Sequence, residues 1–291
     1  MNKILNQDTF REVPPRHLNI FTQIQVLFGG FNVLFGSLFF WFGMVFVLIF
    51  VGQSDAIHWF SMDGEWKETE GLLLEINDGN GFVNDEPIYE YVFTYSANGQ
   101  SFTGKSNGLF RGEEENTLIQ IEYKAENPIR SRILGMRSEV FPGWVVFIVL
   151  IFPIMGLVFL ILGLKENKKA LSLLINGSFT RGKMLHYEAT NTRINHQTVY
   201  AYKFEFQASN KMYTAECKTH LTDKIEDEET EKILYSKADP RLNLVYDAMG
   251  AAPKLDRYGK IEQANALALK VLIPTVLGLV VNALIFILLY L

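Results

Sequence analysis

The hydropathy pattern divides the chain into three long apolar blocks with polar, alternating sequence between them. The first block, residues 18–51, is almost continuously apolar, and as one helix its 34 residues would extend about 50 Å. A bilayer core is only about 30 Å thick, and Gly29–Gly30 offers a break. We therefore expect residues 18–29 to form an interfacial lead and residues 30–51 to form a membrane span. A tight helical hairpin is the alternative.

Two further apolar blocks have the length and composition of membrane-spanning helices. Pro153 is expected to kink the second span, and Asn282, deep in the third, predicts a hydrogen bond between helices. The chain then falls into six segments: a polar N-terminal segment 1–17, the first transmembrane helix within 18–52, a first β-domain 53–140, the second transmembrane helix 141–164, a second β-domain with linkers 165–267, and the third transmembrane helix 268–291.

The two β-domains are predicted from a pattern that occurs twice, at residues 71–104 and 182–215, with an offset of 111 residues and no gap. After one inserted residue, IEYKAENP (121–128) matches ILYSKADP (233–240). The matched positions are Gly71, Tyr89, Tyr91, Phe93, Phe102, Tyr123 and Pro128 in the first copy, and Gly182, Tyr200, Tyr202, Phe204, Tyr213, Tyr235 and Pro240 in the second. Glycines, alternating aromatics and turn prolines build folds, so the repeat predicts a duplicated scaffold.

Alternation of aromatic and β-branched residues with polar ones predicts about five short antiparallel strands in each copy. Asn98–Gly99 is a strong hairpin signal in the first copy, and SNK (209–211) takes its place in the second. The strands of the first copy are expected near 68–76, 88–96, 100–107, 117–123 and 130–134. The predicted fold class is an α+β membrane protein: three transmembrane helices alternate with two small antiparallel β-domains, each a sheet or partly open barrel, related by the internal repeat.

Glycines recur every seven residues in the first two apolar blocks, which places them on one helix face. Small residues at such positions let helices approach closely in lipid. The glycines predicted to form this helix-packing seam are Gly29, Gly36, Gly43, Gly156 and Gly163. A functional hinge is the alternative interpretation.

Charge is distributed unevenly between the two copies. Residues 53–140 contain 7 Lys/Arg and 16 Asp/Glu, a net charge of −9, whereas residues 165–267 contain 16 and 14, a net charge of +2. Neither has the basic excess of a nucleic-acid binder, so no nucleic-acid partner is expected. Basic residues accumulate on cytoplasmic flanks. The lysines at 165–169 and before the third span therefore predict that the second β-domain is cytoplasmic and the first lies outside.

The lysines at 165–169 are also expected to end the second span. A separate short amphipathic helix is predicted over residues 166–176, and a polar, Ala-rich linker over 248–267. The acidic runs at 112–116 and 223–232 are interpreted as solvated connections, with a docking patch for a basic partner as the alternative.

Several short patterns suggest chemistry, but each has a simpler explanation. GSFTRGKM (177–184) nearly matches a phosphate-binding loop, yet Met184 replaces the Ser/Thr and Gly182 aligns with a strand position. NDGNGFVNDEP (77–87) carries oxygen ligands without EF-hand spacing. It and ATNTRINHQ (189–197) are interpreted as variable connections between strands.

Cys217 is the only cysteine and aligns with Ser106, so it is interpreted as a small packing residue. The histidines are not at metal-ligand spacing: His17, His58, His186, His196 and His220. We assign no catalytic, cofactor-binding or metal-ligating residue, and expect no cofactor.

The pattern of Gly, Y-x-Y-x-F, aromatic-Thr, I-x-Y and [ND]-P, flanked by Gly-spaced membrane helices, resembles a bacterial membrane-protein family known as domain of unknown function 3592. The resemblance covers most of the chain as two tandem copies. IEYKAENP and ILYSKADP keep the Tyr and the [ND]-P but lack a middle Pro typical of that family. The resemblance implies a small β-domain between transmembrane helices and implies no activity.

These observations predict a non-enzymatic, multi-pass protein of the bacterial inner membrane. Its expected partners are the lipid bilayer and either another protein or further copies of the chain. Its role would be binding or scaffolding, with one β-module on each side of the membrane. The alternatives are a subunit of an oligomeric transport or channel complex, and a membrane-surface enzyme.

Overall fold

The structure is a computed structural model that describes residues 13–56, 64–83, 85–109, 111–225, 230–256 and 259–291. His58 and residues 226–229 of the second acidic run lie outside the described residues. The chain forms two compact units. One combines residues up to Phe40 with Met155–Gly278 and holds the second β-module. The other combines Trp41–Ile154 with Leu279–Leu291 and holds the first β-module.

The helices follow the apolar blocks. They are α1 (Ile20–Phe28), α2 (Phe31–Gly52), α3 (Val145–Asn176) and α4 (Ile273–Tyr290), the last preceded by a 3₁₀ helix (Ala266–Leu272). Among the described residues, three helical segments are long and apolar enough to cross a membrane: Phe31–Gly52, Val145–Asn176 and Ala266–Tyr290. The 9 residues of α1 span only about 14 Å, so a hairpin of two spans does not form.

The first β-module is one five-stranded antiparallel sheet in the order β3-β2-β1-β4-β5. Its strands are β1 (Trp66–Val83), β2 (Glu86–Ala97), β3 (Gln100–Gly108), β4 (Leu118–Lys124) and β5 (Ser131–Ile133). Alternate residues of β2 point into the core, where Tyr91 and Phe93 are fully buried. Burying one such side chain contributes about 1.5–3 kcal/mol, so this stripe fixes which face of the strand points inward.

The second β-module has the same strand order, β10-β9-β6-β7-β8. Its strands are β6 (Ser178–Ile194), β7 (Gln197–Ala208), β8 (Lys211–Thr219), β9 (Thr230–Tyr235) and β10 (Asn243–Val245). The registers also correspond: Asp78 pairs with Tyr89 in the first sheet, and Ala189 pairs with Tyr200 in the second. The predicted fold class, three apolar helices with two small antiparallel β-modules, is confirmed.

Each sheet curls until its outer strands meet. In the first module, the Ile133 N–H donates to Oγ of Ser106 over 2.7 Å, and Asn107 exchanges backbone hydrogen bonds with Arg137. In the second, Nδ2 of Asn243 donates to the Thr214 carbonyl over 3.1 Å. A few hydrogen bonds thus join the two outer strands of each sheet. Of the two forms predicted, a sheet and a partly open barrel, the modules adopt the partly open barrel.

Three boundaries predicted from the sequence are wrong. Residues 77–83 and 189–194 belong to β1 and β6 and are not variable connections, because each continues its ladder beyond a bulge. A separate amphipathic helix over 166–176 does not form, since α3 continues without a break to Asn176 with Ala170 and Leu174 buried. Residues 248–267 are not simply a polar linker, because Ile261 is 1% exposed in a third hydrophobic cluster.

That cluster holds α1 in the unit of the second module, with Val26, Leu174 and Ile261 at its centre. Polar contacts add to it. The Asn19 N–H donates to Oε1 of Gln263 over 2.8 Å, and the Ala264 N–H donates to the Thr22 hydroxyl over 2.8 Å. The start of α1 is thus fastened to the segment that precedes the last helix.

Candidate functional site

The aromatic repeat residues lie inside the two modules and build equivalent clusters. Tyr95 is 5.8 Å from both Phe102 and Tyr123, between ring centroids. In the second module Phe206 is 6.0 Å from Tyr213 and 5.5 Å from Tyr235. Tyr89 and Tyr200 pack at the margins of the two cores. These side chains serve the scaffold.

The repeat glycines and prolines also have structural positions. A Cβ at Gly71 would lie 2.7 Å from Cγ1 of Ile121, and one at Gly182 would lie 2.8 Å from Cγ1 of Ile233. Only glycine fits at these strand crossings without a shift. Pro128 and Pro240 lie in the turns after β4 and β9, and the Tyr95 hydroxyl donates to the Pro128 carbonyl.

The membrane-helix glycines bring α2 and α3 together. A Cβ at Gly36 would lie 2.8 Å from the Gly156 carbonyl oxygen, and a Cβ at Gly163 would lie 2.9 Å from the Val33 nitrogen. In the other unit, a Cβ at Gly43 would lie 2.6 Å from Cδ of Pro153. Gly29 differs from these four, because it ends α1 and faces Ala251.

Polar groups join α2 to α4. The Ser37 and Thr275 hydroxyls are 2.5 Å apart in one unit. In the other, Nδ2 of Asn282 donates to the Trp41 carbonyl over 3.0 Å, and the Tyr290 hydroxyl donates to the Leu48 carbonyl over 2.7 Å. Asn282 therefore makes the type of interhelical hydrogen bond predicted for it.

The described residues of the sequence patterns that suggested ligands lie mostly in strands. Residues 178–184 of the near phosphate-binding match belong to β6, which runs on as strand to Ile194, whereas a phosphate loop must lead into a helix. Asp78, one of the calcium candidates, lies in β1 opposite Tyr89. Across the described part of the chain, no group of three or more His, Cys, Asp or Glu side chains is close enough to hold a metal ion.

A shallow depression of about 350 Å³ lies on the second module, lined among others by His186, Glu188, Lys203, Glu216, Cys217 and Lys218. Lys203 and Glu216 form an ion pair across it, with Nζ 3.0 Å from Oε1. Burial, and secondarily the charge of Glu231, raises the pKa of Cys217 to about 12. The thiol is therefore protonated at neutral pH, and the depression is a polar contact surface without an activated thiolate.

A carboxyl pair that the sequence did not reveal lies beside the ends of α2 and α3. The segments 53–56 and 137–141 run together: the Asp55 N–H donates to the Phe141 carbonyl over 3.2 Å, and the Glu139 N–H donates to Oδ1 of Asp55 over 3.2 Å. Burial of its side chain, with a smaller contribution from the Asp55 charge, raises the pKa of Glu139 from 4.5 to about 7. Asp55 and Glu139 are more than 80 residues apart in the sequence, so their proximity could not be predicted from it.

The Glu139 carboxyl is expected to make this junction weaker as pH rises. The folded state binds the proton of Glu139 more tightly than the unfolded state does. The stabilisation of the folded state by this proton is therefore complete below about pH 4.5 and is lost as the pH rises to about 7. Amide hydrogen exchange of residues 53–56 and 137–141, corrected for intrinsic rates, should show less protection at pH 8 than at pH 5. Glu139→Gln should abolish the difference; a parallel change in both proteins would contradict this assignment.

Three apolar helices and two antiparallel sheets define the class: a multi-pass integral membrane protein in contact with the lipid bilayer. No protein-family model, curated protein or solved structure matches the chain. Its role must therefore be inferred from the fold and its surfaces.

Proposed function

We propose that the chain is a non-enzymatic binding or scaffolding protein of the bacterial inner membrane that presents one β-module on each side of the bilayer. The first module would lie outside and the second in the cytoplasm. The proposal includes membership of the family of domain of unknown function 3592, which the matched core residues of both modules support. A protein partner is expected on the exposed surfaces of at least one module.

One observation carries this proposal: the residues that the two modules share are core residues, whereas the surfaces differ. Phe93 and Phe204 occupy equivalent, fully buried positions. The segments around them differ in net charge by 11, from −9 for residues 53–140 to +2 for residues 165–267. A common scaffold with two different surfaces fits two different binding tasks better than one duplicated reaction.

The number of spans and the distribution of charge support this orientation. A single apolar helix, α3, separates the modules in the chain, so a bilayer-spanning α3 would place them on opposite sides. Lys165, Lys168 and Lys169 are exposed on the part of α3 that follows its apolar stretch. Their accumulation favours a cytoplasmic position for the second module.

The transport alternative receives less support from the glycine seam. Gly36, Gly43, Gly156 and Gly163 all contact the neighbouring helix of the same chain. The glycine seam is therefore already packed against a helix of the same chain. It does not favour a transport pathway formed between subunits of an oligomer. A cysteine-dependent reaction receives less support, because burial raises the pKa of Cys217 and keeps its thiol protonated at neutral pH.

Single cysteines at matched hairpin positions test the proposal. Gln100→Cys and Lys211→Cys would each be made in a Cys217→Ser background, since serine occupies the equivalent position 106. Both sites are exposed next to a two-residue turn. A membrane-impermeant maleimide that carries benzophenone should label Gln100→Cys from outside in spheroplasts, and Lys211→Cys only in inverted vesicles.

Illumination should then attach the labelled module to a discrete partner protein. Labelling of both cysteines from the same side would disprove the opposite placement of the modules. Correct labelling without any adduct from either module would instead count against the binding role. The Cys217→Ser parent, which should remain unlabelled, measures background.

A further inference from the structure

A second, larger cleft of about 580 Å³ lies in the unit of the second module. Its polar lining comes from three different parts of the chain: Gln25 in α1, Lys224 and Lys232 around β9, and Lys254 in the segment that follows β10. Met249, Ala251, Pro253 and Leu255 line it with apolar surface. The combination of a cationic rim with apolar walls suits a ligand that is itself amphipathic.

The apolar wall is formed by residues 246–255, here called the strap. Hydrogen bonds fix the conformation of this segment. The Tyr246 N–H donates to the Lys232 carbonyl over 2.8 Å, and the Met249 N–H donates to the Tyr246 carbonyl over 3.0 Å. The buried Tyr246 hydroxyl donates to the Pro253 carbonyl over 2.5 Å. Because these bonds are internal to the module, the cleft does not depend on a ligand for its walls.

The strap lies against the start of α2, the first of the candidate membrane spans. A Cβ at Gly250 would be 3.4 Å from Cα of Gly30, and a Cβ at Gly29 would be 2.8 Å from Cβ of Ala251. The apolar span α2 begins at the next residue, Phe31, which is 65% exposed. A cleft beside the first residue of a span lies at the depth of lipid headgroups.

The charge of the cleft favours an anion. Its lining contains three lysines and one carboxylate, Asp247, a net charge of +2. Lys232 pairs with Asp247, with Nζ 3.0 Å from Oδ2, whereas Lys224 and Lys254 are exposed. The ammonium groups of Lys224 and Lys254 can therefore approach a phosphate, whereas that of Lys232 is already paired with Asp247.

We propose that this cleft binds the phosphate-bearing headgroup of an anionic phospholipid, with the acyl chains continuing along the adjoining span. Basic residues beside a transmembrane helix are the usual determinants of such recognition. The inference requires α2 to cross the bilayer, but it does not require either module to bind a protein. Its failure and that of the proposed scaffolding role are therefore distinguishable.

Native mass spectrometry of the full chain in detergent tests the proposal by counting bound lipid directly. With dioleoylphosphatidylglycerol and dioleoylphosphatidylcholine at equal concentrations, one phosphatidylglycerol should bind at least about tenfold more tightly than phosphatidylcholine. Combined Lys224→Gln and Lys254→Gln should reduce its affinity by at least about tenfold, since each lysine near a membrane surface contributes about fivefold. Both side chains are exposed, so the fold should tolerate the change.

The matched control removes the same charge elsewhere: Lys211→Gln with Lys218→Gln, both exposed on β8 and outside the lining of the cleft, should change the affinity less than about twofold. Equal losses in the two variants, or no preference for phosphatidylglycerol, would overturn the proposal. Displacement of the lipid by equimolar glycerol 1-phosphate would also overturn it, because the ligand would then be a soluble phosphate ester.

Discussion

Phe204→Ala is expected to destabilise the second β-module by about 3–5 kcal/mol, and Phe93→Ala to do the same to the first. Both phenylalanines are 0% exposed and occupy equivalent positions on the central hairpins. Removing the ring loses its transfer free energy and leaves a cavity that the surrounding aromatic side chains cannot fill without a shift. The loss is comparable to the whole stability of a small domain.

Hydrogen exchange measured by mass spectrometry on the full chain in detergent would show the effect strand by strand. Phe204→Ala should raise exchange in β6–β10 while β1–β5 keep their protection, and Phe93→Ala should give the reverse pattern. Phe82→Ala is the control for ring removal, because Phe82 is 74% exposed in β1 and its loss should cost less than about 0.5 kcal/mol. Loss of protection in both modules from either core variant would show that they do not unfold independently.

Gly156→Ala is expected to weaken the packing of α2 against α3 by about 2 kcal/mol or more, even though alanine favours a helix. The new methyl group would lie 2.7 Å from Cα of Phe40 and 2.9 Å from the carbonyl oxygen of Gly36. Both atoms belong to backbone, so the helices must separate instead of moving one side chain. In lipid, where close contact between helices is a main source of association, that separation is costly.

Unfolding by titration with SDS, followed by far-UV circular dichroism, measures this change. Gly52→Ala is the matched control, because its methyl group would meet the tip of the Tyr290 side chain, with the hydroxyl 3.2 Å away, and no backbone atom of another helix. The control should stay within about 0.5 kcal/mol of the parent. If both variants behave alike, the close approach at Gly156 is not a major source of stability.

The sequence was most informative where one periodicity dominates. The strand expected near 88–96 is β2 at Glu86–Ala97, because alternating aromatics and the Asn98–Gly99 turn fix both the face and the end. The continuation of β1 to Val83 was not predictable from its Gly- and Asn-rich composition. It forms because β2 supplies ladder partners, with Phe82 opposite Pro87. The continuity of α3 was missed for a similar reason, since the lysines on its exposed face suggested a break while Ala170 and Leu174 on the other face stay buried.

Sites assembled from distant residues could not be predicted. Asp55 and Glu139 meet only because the two segments that flank α2 and α3 run side by side. Gln25, Lys232 and Lys254 share a cleft although more than 200 residues separate the first from the second. The buried Arg16 was also missed. One nitrogen of its guanidinium donates to the carbonyls of Leu174 and Gly177 at the end of α3, each over 2.8 Å.

Because α1 is hydrogen-bonded to residues 263–264, its packing can be completed only late in synthesis of the chain. Asn19 and Thr22 find their partners more than 240 residues further along the chain. At about 5–20 residues per second, a ribosome needs about 12–50 s to supply them. During that interval α1 lacks its hydrogen-bond partners at residues 263–264. Its apolar face, which carries Val26, can then pack against the bilayer surface. The segment just before the third span is therefore more than a connection, because its synthesis supplies the partners that complete the packing of α1.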